Sequence, residues 1–534
     1  MPAGPFVLAL LAFTVIFLAA PFPRSLGAAP IRDNHPTAAD TLERMAEAAF
    51  GPLSVAELRM VRTAPTRDVA WAGPVQDPDA APNNPASADT WGNDRKIRAT
   101  LIIWLLSNPD AAKLVHPSGI GVAGARITGE LDLSYLSVSL PLTFIACSIP
   151  DGIDLSFAHI RSIDLRKSWT GPIALQQTIV NGDISLRYGH YGEVNVFRST
   201  IDGTLDCSSG HFDGSNPLSV VETAIAGDAL FHQGFTTGGL IYFRLSRIGQ
   251  SLSFNDARFT GKGENGLNAE RASVGGTLYW VDVKTSPHTK LDLSNAHVGA
   301  LWDDAASWPA PGNLFLNGFT YGTISGGPAD SATRLQWLRL QPRAMWVQPQ
   351  PYRQLAVVLR DNGRPEGATV VEIAHENALT EYGGGSFGTR LWRYTLRWTI
   401  GYGYRPLQAL WWILSFVMLG AILFRWGYTA RLMTPTEESA YETFVKTGRP
   451  PLHYPPFNSF IYSLENFLPV VELHQGNYWR PNPRHSPAGR PRVPFGGETL
   501  PARMLRLYLW VHILAGWTIT PLLFAGLAGL LRSS

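Results

Sequence analysis

The sequence predicts a mainly β fold, a right-handed, quadrilateral-type parallel β-helix with a helical cap before it and helices after it. Three observations lead to this prediction. Apolar doublets split by one residue recur about every ten positions, glycine precedes many of them, and two long apolar runs lie near the C-terminus. Alternating doublets form short strands with one inward face, whereas the long runs have the length of membrane-spanning helices.

Composition narrows the classes of function. Charged residues are 16% of the 534 residues and hydrophobic residues are 45%, a balance that favours membrane segments. The net charge of +2 gives no electrostatic footprint for a nucleic-acid partner, so none is expected. Cys147 and Cys207 are separated by several layers of a stacked repeat, farther than the Cα distance of about 7 Å that a disulfide allows. We interpret both as core residues.

Residues 1–29 are interpreted as a signal peptide or a signal anchor. The apolar run 6–20 suits the core of a signal peptide better than a complete span of about 20 residues. No Lys or Arg precedes the run and Arg24 follows it, which is unusual for a leader.

Residues 30–120 are predicted to form a helical cap region. Helical spacing favours short helices at 41–50 and 54–62, and a strongly apolar helix at 96–106 that covers the first coil. The intervening segment 73–94 is rich in Pro, Asp and Asn and is predicted to be a loop.

Residues 121–325 are predicted to form a pentapeptide-like solenoid. A unit of about ten residues cannot bury its own apolar face, so successive units must stack. Gly129, Gly203 and Gly276 precede doublets, and we expect these glycines to permit tight corners. The glycine pattern returns at roughly 21 to 24 residues, which indicates two units per coil and eight or nine coils. The doublets are Leu131/Leu133, Leu142/Phe144, Ile153/Leu155, Ile163/Leu165, Ile173/Leu175, Ile184/Leu186, Val194/Val196, Leu205/Cys207, Leu218/Val220, Ile241/Phe243, Leu252/Phe254, Leu278/Trp280 and Leu314/Leu316.

Two segments connect the solenoid to the apolar runs. Residues 326–382 are predicted to form a helical hairpin around Asn362–Pro365, similar in pattern to one tetratricopeptide unit and interpreted as a packing adaptor. Residues 383–406 are predicted to be a linker that approaches the membrane. Its GGGSFG stretch fits GxGxxG, but it follows a helix rather than a strand, so we interpret it as a flexible hinge and not as a dinucleotide site.

The C-terminal part is predicted to be a membrane unit. Transmembrane helices are expected at 407–424 and 507–531, and the connector 425–506 contains an apolar stretch, 457–471, that is too short for a span. This stretch is interpreted as a re-entrant or interfacial helix, with the pore segment of an oligomeric channel as the alternative. The candidate functional residues are Glu465, Pro469, Glu472, His474, Gln475 and His512. For His512, we weigh pairing with Glu465 or Glu472 against a helix-contact role.

Outward aspartates between the doublet residues raise a second possibility. Stacked carboxylates one coil apart can bind a cation or act as an acid–base pair, as in polysaccharide-active β-helices. The alternative is that a polar residue fills each outward position. The aspartates are Asp132, Asp154, Asp164, Asp206 and Asp292.

Several segments together resemble a known family. The stretches IRATLIIWLL, YRQLAVVLRDNGRPEGATVVEIA and FNSFIYSLENFLPVVELHQ are similar to bacterial pentapeptide-repeat-like membrane proteins often labelled "membrane-associated oxidoreductase". The resemblance runs from about residue 95 to the end of the sequence. It implies a membrane-bound β-helix and an oxidoreductase label, although none of these residues supplies a redox cofactor site.

Charge sets the expected topology. Basic residues crowd the connector, which the positive-inside rule places in the cytoplasm, so the β-helix is expected outside it. Basic residues on the other flank of the first span leave an inverted topology open. The two sets are Arg431, Lys446, Arg449, Arg480, Arg484, Arg490, Arg492 and Arg503, against Arg390, Arg393, Arg397 and Arg405.

The resulting hypothesis is a multi-pass protein of the bacterial inner membrane. Its β-helix would be a non-catalytic scaffold for a protein or envelope-polymer partner, with the lipid bilayer as a further partner and homo-oligomers as an option. No catalytic, cofactor-binding or metal-binding residue is assigned. The alternatives are a channel-like oligomeric pore built from 457–475 and an oxidoreductase or polysaccharide-active enzyme.

Overall fold

The computed structural model describes residues 37–482 and 500–529, and it shows a parallel β-solenoid of about nine turns with helices at both ends. This confirms the predicted stacked β-helix. The leader expected at 1–29 lies outside the described residues. Within them, two helices, Gln408–Thr429 and Leu500–Leu527, are long and apolar enough to cross a membrane.

Each typical turn of the solenoid contributes four short strands to three parallel sheets. One strand per turn enters an eight-stranded sheet, one enters a nine-stranded sheet and two enter a seventeen-stranded sheet. The eight-stranded sheet contains Lys96–Arg98, Arg126–Thr128, Ser148–Ile149, Trp169–Thr170, His190–Tyr191, His211–Phe212, Thr236–Thr237 and Arg258–Phe259. The nine-stranded sheet contains Leu131–Asp132, Ile153–Asp154, Ile173–Gln176, Val194–Phe197, Leu218–Val221, Leu240–Tyr242, Asn265–Asn268, Thr289–Asp292 and Leu314–Phe315.

The largest sheet covers the rest of the solenoid surface, and its last three strands are longer than the others. It contains Ala70–Trp71, Ile120–Ala123, Ser137–Val138, Leu142–Ile145, His159–Ile160, Ile163–Asp164, Ile179–Val180, Ile184–Ser185, Thr200–Ile201, Leu205–Asp206, Ala224–Ile225, Ala229–Leu230, Arg247–Ile248, Leu252–Ser253, Ser273–Trp280, His297–Asp303 and Thr320–Gly326. Aligned partners give the length of a turn: Ile153 pairs with Ile173, 20 residues later, and Ile241 pairs with Leu267, 26 residues later.

The corners of the solenoid have a conformation that the doublet pattern does not predict. Two columns of non-glycine residues adopt left-handed φ values between 50° and 60°. The columns are Tyr135, Phe157, Gln177, Arg198, Glu222, Leu245, Arg271 and Asn295, and Ala146, Lys167, Tyr188, Ser209, Gln233, Asp256 and Asp282. At Gly129 the predicted corner has a left-handed φ of 84°, whereas Gly203 and Gly276 lack a positive φ and exclude a side chain for a different reason. A Cβ on Gly203 would lie 2.6 Å from the carbonyl oxygen of Gly182 in the preceding turn, so these two glycines permit close stacking of turns instead.

The doublet side chains form one continuous apolar core. Early turns contribute mostly aliphatic side chains, whereas later turns contribute aromatic ones, with Phe231 stacked on Phe254 at 5.0 Å and Trp280 next in the column. Cys147 and Cys207 are free and buried in this core. Because each inward residue contacts its counterparts above and below, burial of the core depends on stacking.

Helices cover the first turn. They are α1 (Ala38–Phe50), α2 (Val55–Thr63), α3 (Ala99–Ser107) and α4 (Pro109–Ala112). The helix expected at 96–106 begins only at Ala99. The first three residues of that segment, Lys96–Arg98, form a strand that pairs with Arg126–Thr128. α3 packs against the strand Leu131–Asp132 with Leu101, Ile102 and Leu105 buried.

A second group of helices covers the last turn. It consists of α5 (Ser331–Arg339), α6 (Pro349–Asp361) and α7 (Pro365–Tyr382). α6 and α7 pack side by side, and Gln350 and Gln354 of α6 donate hydrogen bonds to the carbonyl oxygens of Phe319 and Tyr321, at 2.7 Å each. These bonds satisfy backbone groups at the exposed end of the stack.

The C-terminal unit is built around three packed helices. Its helices are α8 (Phe387–Ile400), α9 (Gln408–Thr429), α10 (Glu438–Thr447), α11 (Ser459–Phe467), α12 (Gln475–Tyr478) and α13 (Leu500–Leu527), with a two-stranded antiparallel sheet of Met433–Pro435 and Trp479–Pro481. α11 packs between α9 and α13. The predicted linker 383–406 is largely helical, since α8 occupies Phe387–Ile400, while most of the GGGSFG stretch lies before the helix begins.

Candidate functional site

His512 lies where α9, α11 and α13 meet, and its side chain is fully buried. Its Nε2 is 3.0 Å from the carbonyl oxygen of Ser463, and its Nδ1 is 3.3 Å from the hydroxyl of Tyr508. A carbonyl oxygen only accepts, so Nε2 carries the proton and donates it, leaving Nδ1 to accept from Tyr508. Within the described residues, His512 therefore bonds to these two partners and not to Glu465 or Glu472.

Small residues bring the three helices together around His512. A Cβ on Gly420 of α9 would lie 2.2 Å from the hydroxyl of Ser463, and a Cβ on Gly516 of α13 would lie 1.8 Å from the carbonyl oxygen of Phe467. The hydroxyl of Ser463 donates to the carbonyl oxygen of Val417 at 2.8 Å. Small residues at helix contacts with a polar group bonded across them are typical of membrane helix packing. This arrangement supports the helix-contact interpretation of His512.

Glu465 and Gln475 close the segment after α11 into a loop. The carboxylate of Glu465 accepts hydrogen bonds from the backbone N–H groups of Gln475 at 2.7 Å and Gly476 at 3.2 Å. The side-chain oxygen of Gln475 accepts from the backbone N–H of Asn458 at 3.1 Å. The structure thus brings Glu465 and Gln475 together, and both hold backbone in place.

The remaining candidate residues lie within this loop. α11 ends at Phe467, two residues before Pro469, as expected from the missing N–H of proline. His474 adopts a left-handed φ of 65° just before α12, and Glu472 is exposed. The helix is shorter than the predicted 457–471, because the chain turns at Leu468 to reach the Glu465 carboxylate.

The outward aspartates also have a backbone role. In each, a side-chain oxygen accepts from the N–H two residues later, at 2.8 to 3.1 Å, and the third residue on is left-handed. Asp132 and Asp154 are aligned partners in adjacent turns, as the sequence predicted. The hydrogen bonds with Ser134 hold the pKa of Asp132 below its usual value. These carboxylates shape corners by the Asx-turn mechanism.

A surface groove that the sequence did not indicate runs along the eight-stranded sheet. Its wall is a ladder of aligned rings, with Trp169 and His190 at 4.7 Å and His190 and His211 at 4.6 Å between centroids. Its floor is formed by Gly171 and Gly192. A side chain at Gly171 would strike the carbonyl oxygen of Pro150, at 2.3 Å from its Cβ, so glycine keeps the floor low.

The other wall of the groove is the strap, the name used here for residues 73–94. Asp79 and Asp89 of the strap form ion pairs with Lys167 and Arg126 of the solenoid. The groove has a volume of about 340 Å³, and Asp213 is among its lining residues. Burial, followed by repulsion from His211, lowers the pKa of His190, which favours a neutral ring in the groove.

The strap also borders a larger, polar cleft at the start of the solenoid. This cleft of about 1070 Å³ is lined by Trp71, Trp91 and Arg95 among other residues. Arg95 lies 3.5 Å from the ring of Trp91 and donates to the carbonyl oxygens of Gly124 and Pro82, so it holds the strap in place. The strap therefore contributes residues to the lining of both the groove and the polar cleft.

Groups typical of metal and thiol chemistry are not assembled in the described residues. No group of three or more His, Cys, Asp or Glu side chains there is placed to hold a metal ion. Burial raises the pKa of Cys147 to about 12, so this thiol is protonated at neutral pH.

The chain was compared with known protein families, curated proteins and solved structures. No protein-family model, curated protein or solved structure matches the chain.

Proposed function

We propose that this protein is a membrane-anchored, non-catalytic binding scaffold whose solenoid presents a groove to an envelope polymer. The exposed apolar surface of α9 and α13 supports the proposal that the protein is anchored in a membrane. Trp411 is 72% exposed, Ile422 63% and Leu514 67%, which is the reverse of a helix buried in a soluble core. Lipid is the environment in which such a surface is stable.

The groove between the strap and the ring ladder supports the binding part. Trp169 is 38% exposed and presents an aromatic surface to the opening, while His190 and Asp213 supply hydrogen-bonding groups beside it. A sugar ring has apolar C–H groups on its faces and hydroxyls around its edge, so a wall that combines aromatic and polar groups suits it. A glycan strand of the bacterial envelope is therefore the partner favoured over a protein.

The cellular setting is part of the same proposal. A multi-pass protein of the inner membrane, with the basic connector in the cytoplasm and the solenoid outside, would place the groove next to envelope polymers. Four short strands per turn support a quadrilateral coil of pentapeptide-repeat type, for which a right-handed winding is part of the proposal. The membrane unit also leaves room for a homo-oligomer, since α9 and α13 keep large apolar side chains unburied.

Sedimentation with isolated peptidoglycan sacculi tests the proposal on the full chain in detergent. Wild-type protein is expected to sediment with sacculi, and Trp169→Ala is expected to weaken binding by about ten-fold or more. Trp302→Ala is the matched control, because Trp302 is 43% exposed but lies in the seventeen-stranded sheet. Absence of wild-type binding, or equal loss in both variants, would exclude the groove as a glycan site.

The channel alternative has its own test. Conductance across vesicles that contain the purified protein, and its loss in Glu472→Gln, would favour a pore. Glu465 is a weaker candidate for a pore-lining charge, since its carboxylate is bonded to the backbone of Gln475 and Gly476.

A further inference from the structure

We infer that α8 lies in the plane of the membrane surface, with one face in the lipid headgroup region, and so fixes the solenoid to the bilayer at a set angle. The inference rests on the proposed membrane anchoring and goes beyond it. At 14 residues, α8 is too short to span a bilayer, which requires about 20.

One face of α8 carries a stripe of apolar side chains that no other part of the described chain covers. Phe387, Leu391, Tyr394 and Trp398 follow the spacing i, i+4, i+7 and i+11, which places them on one face of a helix. They are 83%, 56%, 42% and 62% exposed, respectively. Tyrosine and tryptophan in such a stripe are characteristic of the membrane–water interface.

The sides of α8 away from the apolar stripe, together with one flank, are attached to the rest of the protein. Arg393 pairs with Glu376 of α7 at 3.3 Å, and Arg397 pairs with Glu381 of α7 at 3.6 Å. Ile400 is buried in the core that α9, α11 and α13 share. The helix cannot turn its apolar stripe inward without breaking these contacts.

The stripe continues directly into the first candidate span. The ring N–H of Trp412 donates to the carbonyl oxygen of Trp398 at 2.7 Å, and Trp411 beside it is the most exposed tryptophan of α9. Arg390 is exposed at the edge of the stripe, where a guanidinium meets lipid phosphates. The apolar stripe is continuous with α9 and has the basic residue Arg390 at its edge. Both features favour phospholipid as the partner that contacts the stripe.

Rigid contacts lead from α8 to the solenoid. α8 pairs with α7, α7 packs on α6, and α6 bonds to the last turn through Gln350 and Gln354. A helix fixed at the surface would therefore hold the column at a constant angle, with its C-terminal end nearest the lipid.

Spin labels on single cysteines in proteoliposomes test this inference with the full chain. Leu391→Cys and Trp398→Cys probe the stripe, Thr389→Cys probes the opposite side, Ile422→Cys marks the span and Ser137→Cys marks the exposed solenoid. The native cysteines are buried, so the wild-type chain is the labelling control. The ratio of collision with oxygen to collision with a nickel chelate should be several-fold higher at 391 and 398 than at 389, at about 5–10 Å below the phosphates.

Two results separate the inference from the proposed function. If 422 is embedded while 391 and 398 match 389, the in-plane position of α8 is excluded and the anchoring stands. The in-plane position is equally excluded if 391 and 398 are shielded from both reagents, because protein then covers the stripe. If 422 is as accessible to nickel as 137, the membrane anchoring itself fails. Unchanged β-sheet circular dichroism in each variant establishes that the fold is retained.

Discussion

The guanidinium of Arg334 in α5 holds the carboxylate of Asp303 in the last turn by two hydrogen bonds, at 2.5 and 2.8 Å, and both side chains are buried. The ring of Trp337 lies 5.2 Å from the guanidinium carbon, and the ring N–H of Trp308 donates to the same carboxylate at 2.7 Å. This cluster joins the α5 cap to the core of the solenoid.

Arg334→Met is expected to lower the free energy of unfolding by about 3–5 kcal/mol, because it leaves the Asp303 carboxylate buried without its partner. Arg360→Met, which removes an exposed pair with Glu372, should cost about 1 kcal/mol or less. Thermal unfolding in detergent, followed by circular dichroism, measures both. Similar shifts in the two variants would show that the buried pair does not stabilise the cap.

A ladder of buried hydroxyls supplies a second prediction. The hydroxyl of Ser199 donates to the carbonyl oxygen of Leu175 at 2.9 Å and accepts from the N–H of Thr178 at 3.0 Å. Ser199→Ala removes both bonds and takes away the acceptor of the Thr178 N–H, so it should destabilise the solenoid by about 1–3 kcal/mol. Thr200→Ala, on the exposed side of the next position, is the control and should leave the unfolding temperature nearly unchanged.

The left-handed corner at Gln177 should tolerate substitution by glycine but not by a β-branched residue. Gln177 has φ 51° and is exposed, so only its backbone conformation should limit substitution. Gln177→Ile should cost about 1–2 kcal/mol because a branched Cβ resists this conformation. Gln177→Gly should change stability by less than about 1 kcal/mol. Glycine adopts a positive φ without strain, and this gain offsets the greater conformational freedom that glycine gives the unfolded chain. Equal unfolding temperatures for both variants would contradict a corner-imposed constraint.

Stability should fall as the solution becomes acidic, partly through His190. Its pKa in the folded state is lowered from 6.5, so the unfolded chain binds a proton that the folded chain resists. The loss of stability should begin as pH falls through about 6.5 and should grow until the folded-state pKa is passed. The unfolding temperature measured between about pH 7 and pH 5 should vary less in His190→Gln than in wild type. His297→Gln, at an exposed position, should retain the wild-type slope.

Glu465→Gln is expected to loosen the loop after α11 without unfolding the C-terminal helical unit. The neutral amide keeps an acceptor oxygen but loses the charge that strengthens the bonds to Gln475 and Gly476. Hydrogen exchange should become several-fold faster at those two amides. Glu472→Gln, at an exposed position of the same loop, should leave their exchange rates as in wild type.

Local patterns predict the stacked β-helix because alternation and turn length are visible in single segments. The corner conformation does not follow from the doublets. The segment Asp-x-Ser-Tyr at 132–135 does contain a local indication of it, because the aspartate can form an Asx turn just before the left-handed residue. From the sequence, residues 389–406 are predicted only as a linker, whereas the structure forms the helix α8 just after the three glycines that open the GGGSFG stretch. The groove could not be predicted, since it depends on the strap lying beside Trp169 and His190, which are remote in the chain. Aromatic residues recur one turn apart at 169, 190 and 211, but this spacing alone does not show that the strap faces them.

The α5 cap has a consequence for solubility as well as stability. The strand Thr320–Gly326 ends the largest sheet, and its free side, if left open, would be a template for edge-to-edge pairing with a strand of another molecule. α6 covers this end through the bonds of Gln350 and Gln354, and the Arg334 cluster holds α5 beside it, an arrangement that disfavours edge-to-edge growth of the column.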